Sequence, residues 1–442
     1  MGKKIIVAGA GHGGIAAGAL LAKAGYDVTV YEQNGEGTLG YDWTDIFTPS
    51  AWKAAGIKMP PPDKYEYDSN RTFYSYNQQI PLKQSIPDDE HEIKMERKDI
   101  YEHLISHAVK QGVKFIYDCK VLAPILYGNR VAGIKTSNGD FFGDLIIDAV
   151  GMDSPVRKNL PDMCGIEHSV GPFEQFYVYR AFFNRPAETA CTGDFNVYFF
   201  PNGKLGIAWV ASEQEYTDLL IGRFEPFKID EANITADVLR KTNPVLGSTV
   251  LRGGRFVKIP VRHPLAVMVC DGYAAIGDSA FMTIPIIGSG IATNLKAAKM
   301  LADTVIADND GAFSAETLWN YQVRYFSEIG SGLSLISCVK TLLTQVQPKD
   351  LDYIFENGII TAEDFTINSD KSNISSMLTM TPFEMRNRLH KLTKEKELSK
   401  KFLSVVHKIV KATAAYKTMP KKWDKSSVFE WSKKYIKVFE EQ

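Results

Sequence analysis

The chain has 442 residues, of which 45% are hydrophobic and 23% are charged. This length predicts two or three domains and allows a large buried core. The net charge of −1 gives no overall positive field, so we expect no nucleic-acid partner. The five cysteines are scattered and include no Cys-x-x-Cys pair, which argues against a disulfide scaffold or a zinc ribbon. We expect reduced thiols, a cytoplasmic location and no metal site.

The first motif is a strand, a glycine-rich turn and a helix at the N-terminus. An apolar run at 5–8 predicts a buried parallel strand. The six residues after it match G-x-G-x-x-G and are Gly9, Ala10, Gly11, His12, Gly13 and Gly14. Glycines at this spacing fit a tight turn, a close approach to a pyrophosphate and helix–strand packing. The helix N-terminus favours phosphate, and we interpret His12 as a helix-start residue.

The second strand of this unit ends in an acidic residue. Glu32 lies 18 residues beyond Gly14, where a carboxylate accepts ribose hydroxyls. A carboxylate there repels a ribose 2′-phosphate. The unit therefore predicts a site for FAD or NAD rather than NADP.

Two further strand ends carry small or acidic residues. A strand at 144–150 runs into Gly151, and a later strand ends at Asp278, which is placed to accept a polyol hydroxyl. A glycine-rich loop and a helix follow Asp278. Four of these residues are predicted to contact the cofactor: Pro285, Gly288, Gly290 and Ile291. Amides at the start of that helix stabilise negative charge on a reduced flavin ring.

These three motifs, in this order, resemble the FAD-binding signatures of the para-hydroxybenzoate hydroxylase-like flavoprotein superfamily. The likeness covers residues 1–330 in outline. It implies FAD as the cofactor, and Arg97 matches the arginine that the family carries before the helix preceding its third strand. Val121 is a further expected cofactor contact. The family's central motif usually reads Asp-Gly, whereas here Val150 precedes Gly151 and Asp148 lies two places before Val150.

Within the superfamily, the chain is most similar to the geranylgeranyl reductase branch. The segment Tyr198-Phe199-Phe200-Pro201 resembles that branch's aromatic-x-Phe-Pro motif, which lines a lipid-like substrate tunnel. The loop Gly40-Tyr41-Asp42-Trp43 lies where the branch often carries a Gly-Cys segment near the flavin, and the cysteine is absent here. Aromatic residues on a strand are equally compatible with a place in the core.

The expected fold class is α/β, with a Rossmann-like FAD-binding domain, a mostly antiparallel β substrate domain and a helical C-terminal region. The FAD-binding domain is expected to be discontinuous, at 1–70, 96–160 and 258–330. The substrate domain is expected at 71–95 and 161–257, and the helical region at 331–442. No run of about 18 apolar residues occurs, so we expect no membrane-spanning helix.

The C-terminal region has a local positive charge. Residues 386–425 contain thirteen lysine and arginine side chains against three acidic ones. This pattern fits the solvated face of a helical cap, and it also fits a docking surface for anionic lipid or an acidic electron-carrier protein. The second interpretation adds a peripheral membrane position to the expected cytoplasmic location. The pattern leaves the oligomeric state open.

Three functions remain open. The first is a reductase that transfers hydride from flavin N5 to a C=C bond of a small hydrophobic, isoprenoid-like substrate. A nearby acid then protonates the other carbon, and the candidate donors are Tyr41, Asp42, Asp45 and Tyr198. The second is an aromatic monooxygenase that uses NAD(P)H and O2. The third is a flavin-bearing sensor without catalysis.

The sequence contains only one nucleotide-binding fingerprint, which bears on the identity of the electron donor. No second G-x-G-x-x-G follows a strand, so we expect no separate nicotinamide-binding domain. The donor is therefore expected to be transiently bound NAD(P)H or a reduced electron carrier.

Overall fold

A computed structural model describes residues 2–68, 70–87, 90–365 and 382–440. The strands are β1 (Lys4–Ala8), β2 (Asp27–Tyr31), β3 (Thr44–Phe47), β4 (Glu66–Tyr67), β5 (Arg71–Tyr74), β6 (Leu82–Lys83), β7 (Ile93–Glu96), β8 (Lys114–Ile116), β9 (Val121–Tyr127), β10 (Arg130–Thr136), β11 (Gly139–Phe142), β12 (Leu145–Asp148), β13 (Gln175–Phe183), β14 (Phe195–Phe199), β15 (Gly206–Ser212), β16 (Thr217–Arg223), β17 (Val250–Pro260), β18 (Val269–Cys270) and β19 (Tyr273–Ala275). The helices are α1 (His12–Lys23), α2 (Ser50–Ala54), α3 (Arg97–Lys110), α4 (Pro155–Lys158), α5 (Ile229–Arg240), α6 (Ile291–Ile306), α7 (Ala315–Tyr325), α8 (Ser331–Gln345), α9 (Pro348–Glu356), α10 (Pro382–Leu392), α11 (Lys396–Lys417) and α12 (Lys425–Glu440).

The N-terminal motif forms the centre of a six-stranded sheet. Its strand order is β18-β19-β12-β1-β2-β8, and all neighbours are parallel except β18 and β19. The run at 5–8 is fully buried, because helices α1 and α6 cover one face and the β9–β11 sheet lies against β12 on the other. The predicted Rossmann-like unit is confirmed.

The second sheet has seven strands, in the order β17-β13-β16-β15-β14-β5-β6. Every neighbouring pair is antiparallel except β14 and β5. Helix α5 covers one face of this sheet, through Ala232, Ala236 and Leu239. The predicted α/β fold class with a mostly antiparallel second sheet is confirmed, while the domain boundaries stay a prediction.

A small third sheet, in the order β3-β7-β4, lies between these two layers. Its strand β3 pairs in register with β7, so that Thr44 faces Glu96 and Phe47 faces Ile93. This pairing holds the loop at 40–43 beside the start of α3, where the Arg97 N–H donates to the Trp43 carbonyl over 2.8 Å. The loop is therefore fixed at the junction of the two large sheets.

The described part of the C-terminal region, from α7 to α12, is helical, as predicted. Among the described residues, the continuous helical run Ala315–Gln345 is long and apolar enough to cross a membrane by length and composition alone, since it contains an 18-residue stretch with a mean hydropathy of 1.2. However, 67% of that stretch is buried inside the protein. Its Gln322 accepts a hydrogen bond from the Met268 N–H over 2.8 Å and donates to the Ala266 carbonyl over 2.9 Å. These contacts are those of a core helix.

Candidate active site

The glycine turn after β1 passes directly against the end of β12. Gly9 has φ +82°, and a Cβ at this position would lie 2.7 Å from the Cα of Val150. A Cβ on Gly14 would lie 2.5 Å from the Cβ of Ala149. Because neither position has room for a side chain, the turn is tight and α1 approaches the sheet closely. The first turn of α1 contains no acidic residue, which leaves its N-terminus suited to an anion.

Glu32 connects the end of β2 to this turn. Its buried carboxylate accepts a hydrogen bond from the Ala10 N–H over 2.9 Å and from both the backbone and the side-chain nitrogen of Asn34. The Cys119 N–H donates to the Glu32 carbonyl over 2.8 Å, and Val121 lies buried two residues further on. Glu32 therefore orders the turn, and its predicted role toward a ribose stays a prediction, as does that of Val121.

Asp148 does not replace the family's missing aspartate. Its carboxylate is fully buried and accepts hydrogen bonds from Ser154 Oγ at 2.6 Å, Ser279 Oγ at 2.9 Å and Tyr273 OH at 2.9 Å. These partners join the ends of β12 and β19. Asp148 is therefore a structural anchor, whereas Gly151 beside it has φ +114° and would leave a Cβ in open space.

The glycine-rich loop before α6 lies over a cavity of about 250 Å³. Thr283 Oγ1 donates to Asp278 at 2.7 Å, and burial raises the pKa of the Asp278 carboxyl. Among the predicted loop contacts, Gly288, Gly290 and Ile291 line the cavity, as Asp278 does, and Pro285 does not. The loop and the start of α6 thus form one wall.

The opposite wall is the apolar face of the second sheet. Its lining side chains include Phe73, Phe176, Val178, Phe195, Val197 and Phe199. Successive side chains of a strand point to opposite faces, so β14 directs 195, 197 and 199 into the cavity. Tyr198 points the other way, where it stacks on Tyr74 and donates to Asn243 Oδ1 at 2.9 Å. The prediction of Tyr198 as a proton donor is therefore corrected, because its hydroxyl does not reach the cavity.

An ion pair lies where the two walls meet. Arg97 donates to the two carboxylate oxygens of Asp45 over 2.7 and 2.5 Å and also to the hydroxyl of Tyr41. All three side chains line the cavity. Burial acts to raise the pKa of the Asp45 carboxyl, but the Arg97 guanidinium holds it below its usual value. Burial raises the pKa of the Tyr41 phenol, which Arg97 opposes, so Asp45 is ionised and Tyr41 is protonated at neutral pH.

Asp42 lies outside the cavity. Its carboxylate forms an ion pair with Arg252 and accepts a hydrogen bond from the Gly253 N–H over 2.9 Å. Half of the Asp42 side chain is exposed. The prediction of Asp42 as a proton donor is corrected for this reason, and its contacts indicate that it fixes the loop to β17.

His12 begins α1, as predicted, but its ring also lines the cavity. It packs on Tyr101 with the ring centroids 4.5 Å apart, and burial lowers its pKa to about 4, so it is neutral. Among the described residues, His12 Nε2, Trp43 Nε1 and Asn294 Oδ1 are buried without a hydrogen-bond partner. Buried polar atoms are normally paired, so these three fit a polar cofactor lying along the cavity.

Arg180 also lines the cavity and forms a buried ion pair with Asp218, and neither residue was predicted from the sequence. Arg180 donates to Asp218 over 2.9 and 2.6 Å and to the Thr44 carbonyl over 2.6 Å, with all groups buried. The guanidinium lies 5.2 Å from the ring of Trp209. The available signal was a single arginine within the otherwise apolar strand β13, because a charge in a buried strand needs a partner.

The described residues contain no group of three or more His, Cys, Asp or Glu side chains that could hold a metal ion.

Comparison with known proteins finds related sequences and related folds. Residues 7–49 match the family of NAD(P)-binding Rossmann-like domains. The chain is 24% identical over 404 residues to a digeranylgeranylglycerophospholipid reductase of Methanothrix thermoacetophila, covering 86% of this chain and 96% of that protein.

Two solved structures share the fold. One is a geranylgeranyl bacteriochlorophyll reductase-like protein of Thermoplasma acidophilum, with a TM-score of 0.72, 17% identity and coverage of 91% of this chain and 99% of that one. The other is a probable FAD-dependent monooxygenase of Pseudomonas aeruginosa, with a TM-score of 0.60, 18% identity and coverage of 80% and 100%.

The class predicted from the sequence is therefore confirmed: the protein is an FAD-dependent oxidoreductase. The predicted resemblance to flavoproteins of the geranylgeranyl reductase kind is confirmed as well, by relatives that are named as such reductases.

Proposed function

We propose that the protein reduces C=C bonds in a hydrophobic, isoprenoid-like substrate. The observation that supports this most directly is the composition of the cavity. Aromatic and branched side chains of β13 and β14 face the loop at 283–291 across one continuous space. Such a wall binds a hydrocarbon chain by excluding water and offers it few polar groups.

Bound FAD supplies the hydride, and the chain's own residues position the substrate and handle the proton. Of the four predicted donors, only Tyr41 and Asp45 line the cavity. Asp45 is held ionised by Arg97 and has no proton to give. Tyr41 keeps its proton at neutral pH, and because Arg97 donates to the Tyr41 oxygen, the phenolic O–H is free to point at substrate.

Arg97 has a second effect in this proposal. Once Tyr41 has given up its proton, the adjacent guanidinium stabilises the negative oxygen in a site with little water. Asp45 keeps Arg97 in place through two hydrogen bonds. The three residues thus act as a proton donor, a stabilising cation and a positioning anion.

The deciding experiment supplies a polyprenyl lipid to the purified protein under anaerobic conditions, with dithionite as the electron source. Reduction of C=C bonds adds two hydrogen atoms per bond, which mass spectrometry of the lipid detects. Product formation without oxygen supports the reductase. A product that forms only with oxygen and contains an added oxygen atom would instead indicate a monooxygenase. The alternative that we keep open, an aromatic monooxygenase using NAD(P)H and O2, is then tested with an aromatic substrate.

The electron donor belongs to the same proposal. Transient NAD(P)H or a reduced carrier protein reduces the flavin, since no second nucleotide fingerprint is present in the sequence. Anaerobic addition of NADPH and then NADH, followed by the flavin absorption band, separates these donors. Rapid bleaching identifies the nicotinamide. A band that only dithionite bleaches leaves two explanations, gating of the reduction by substrate or a protein carrier, and bleaching by reduced ferredoxin supports the carrier.

A further inference from the structure

Helix α11 exposes an apolar stripe on the outside of the molecule. Leu403, Val406 and Val410 are 63%, 48% and 60% exposed. Residues three and four positions apart share one face of a helix, so these three side chains are contiguous. Single exposed apolar residues are common on protein surfaces, but a contiguous group of branched side chains marks an interaction site.

The stripe is bordered by positive charge. Lys396 and Lys400 lie exposed in the two turns before Leu403, and exposed Lys417 follows at the end of the helix. Exposed Glu397 forms an ion pair with Lys400 over 2.7 Å, and surface pairs of this kind are weak, so Lys400 can exchange it for a phosphate. The neighbouring exposed side chains Arg386, Lys391 and Lys394 have the same sign. Such a face is complementary to a surface that is apolar inside and anionic at its rim, which describes a bilayer with anionic headgroups.

The other face of α11 packs into the protein. Its buried Leu398 and Val405 belong to an apolar cluster that also contains Leu342 of α8, Phe355 of α9 and the cavity-lining Phe199. The inner face of α11 is therefore held by the helical region, and the outer stripe is left for a partner.

We infer that the outer face of α11 docks the protein on a bilayer containing anionic phospholipid. The stripe enters the interface between headgroups and acyl chains, and the lysines contact headgroup phosphates. An acidic protein would be bound by the lysines but would leave the branched aliphatic side chains without a role. The docking needs no catalysis, so it stands or fails separately from the proposed reaction.

The test is co-sedimentation of the flavin-loaded protein with two kinds of vesicle, phosphatidylcholine alone and phosphatidylcholine mixed equally with phosphatidylglycerol. We expect binding to the mixed vesicles only. The triple variant Leu403→Ser, Val406→Ser, Val410→Ser should bind about 100-fold more weakly, because it loses three buried aliphatic groups. Replacing Lys394, Lys396 and Lys400 with Gln should weaken binding about tenfold or more and remove the preference for phosphatidylglycerol.

Matched controls exist on other elements. The triple variant Val109→Ser, Leu122→Ser, Leu126→Ser removes comparably exposed apolar groups from α3 and β9. Replacing the exposed Lys23, Lys53 and Lys58 with Gln removes the same charge elsewhere. Both controls should bind vesicles as the wild type does, and all variants should retain the flavin band.

Three results would overturn the inference. One is an absence of sedimentation by the wild type with either vesicle. The second is unchanged binding by the α11 serine variant. The third is a loss of binding in the lysine variant alone, which would indicate a purely electrostatic surface suited to an acidic carrier protein.

Discussion

Tyr41, which is partly buried, and Tyr198, which is buried, form a pair of phenols on opposite sides of the second sheet. Tyr41 lines the cavity beside Arg97, whereas Tyr198 donates to Asn243 away from it. We expect Tyr41→Phe to lower the rate of C=C reduction about 100-fold, since general-acid catalysis contributes about that much, with unchanged flavin content. Tyr198→Phe should leave the rate nearly unchanged. Single-turnover oxidation of the reduced flavin by substrate measures both, and equal rates for the two variants would contradict the assignment.

Glu32 orders the glycine turn and is predicted to bind the cofactor as well. It accepts the Ala10 N–H, in the turn that is predicted to approach the pyrophosphate. We expect Glu32→Gln to weaken FAD binding about tenfold or more, because a charged acceptor is exchanged for a neutral one. Asp27→Asn, at the exposed start of the same strand, is the control and should bind normally. Titration of the apoprotein with FAD by fluorescence gives both dissociation constants.

The glycines of the strand–turn–helix element are needed for two reasons. Some have a positive φ, and some have no room for a side chain. Gly9 and Gly25 both have positive φ, but a Cβ on Gly25 would have no described heavy atom within 4 Å, whereas one on Gly9 would meet Val150 at 2.7 Å. Gly25→Ala should cost about 1–2 kcal/mol in free energy of unfolding, from backbone strain alone. Gly9→Ala should cost at least about 3 kcal/mol and also release flavin, because β12 must move. Urea unfolding compares them, and equal losses would show that crowding is unimportant.

The same element shows what local sequence can predict. Strand β1, the glycine turn and α1 follow from an apolar run, glycine spacing and helix periodicity, all within about 30 residues, which is the length of one βαβ unit. The direction of the Tyr198 side chain was predicted wrongly. The aromatic composition of the strand does not show which of its alternating side chains face the cavity.

Contacts between distant parts of the chain were beyond such reasoning. The partner of Asp42 is Arg252, and the partner of Arg180 is Asp218 across the β13–β16 pair. The residues next to Asp42 and Arg180 in the sequence do not indicate which partner each will have. Each ion pair forms only when strands from different segments of the chain come together. The cavity combines the nucleotide loop, β3 and the second sheet, so its shape belongs to the whole molecule.

Lys340 joins the helical region to the second sheet and makes the free energy of unfolding depend on pH. From α8 it donates to the carbonyls of Phe173 and Val261, each over 2.7 Å. Burial, with help from nearby Arg262 and Lys408 and against Glu174, lowers its pKa from 10.5 to about 8. Between these two values the unfolded chain binds the proton more tightly than the folded protein, so the free energy of unfolding rises with pH across this window.

The size of this rise is on the order of 3 kcal/mol, because each unit of pKa difference corresponds to about 1.4 kcal/mol. Lys340→Met removes the titrating group, so its stability relative to the wild type should fall as the pH increases from 8 toward 10.5. Lys349→Met, at an exposed position on α9, controls for loss of a lysine and should show a constant difference. Urea unfolding across this range measures all three proteins. A constant difference for Lys340→Met would mean that Lys340 is solvated in solution and that the helical region is less tightly docked on the second sheet than its two carbonyl contacts indicate.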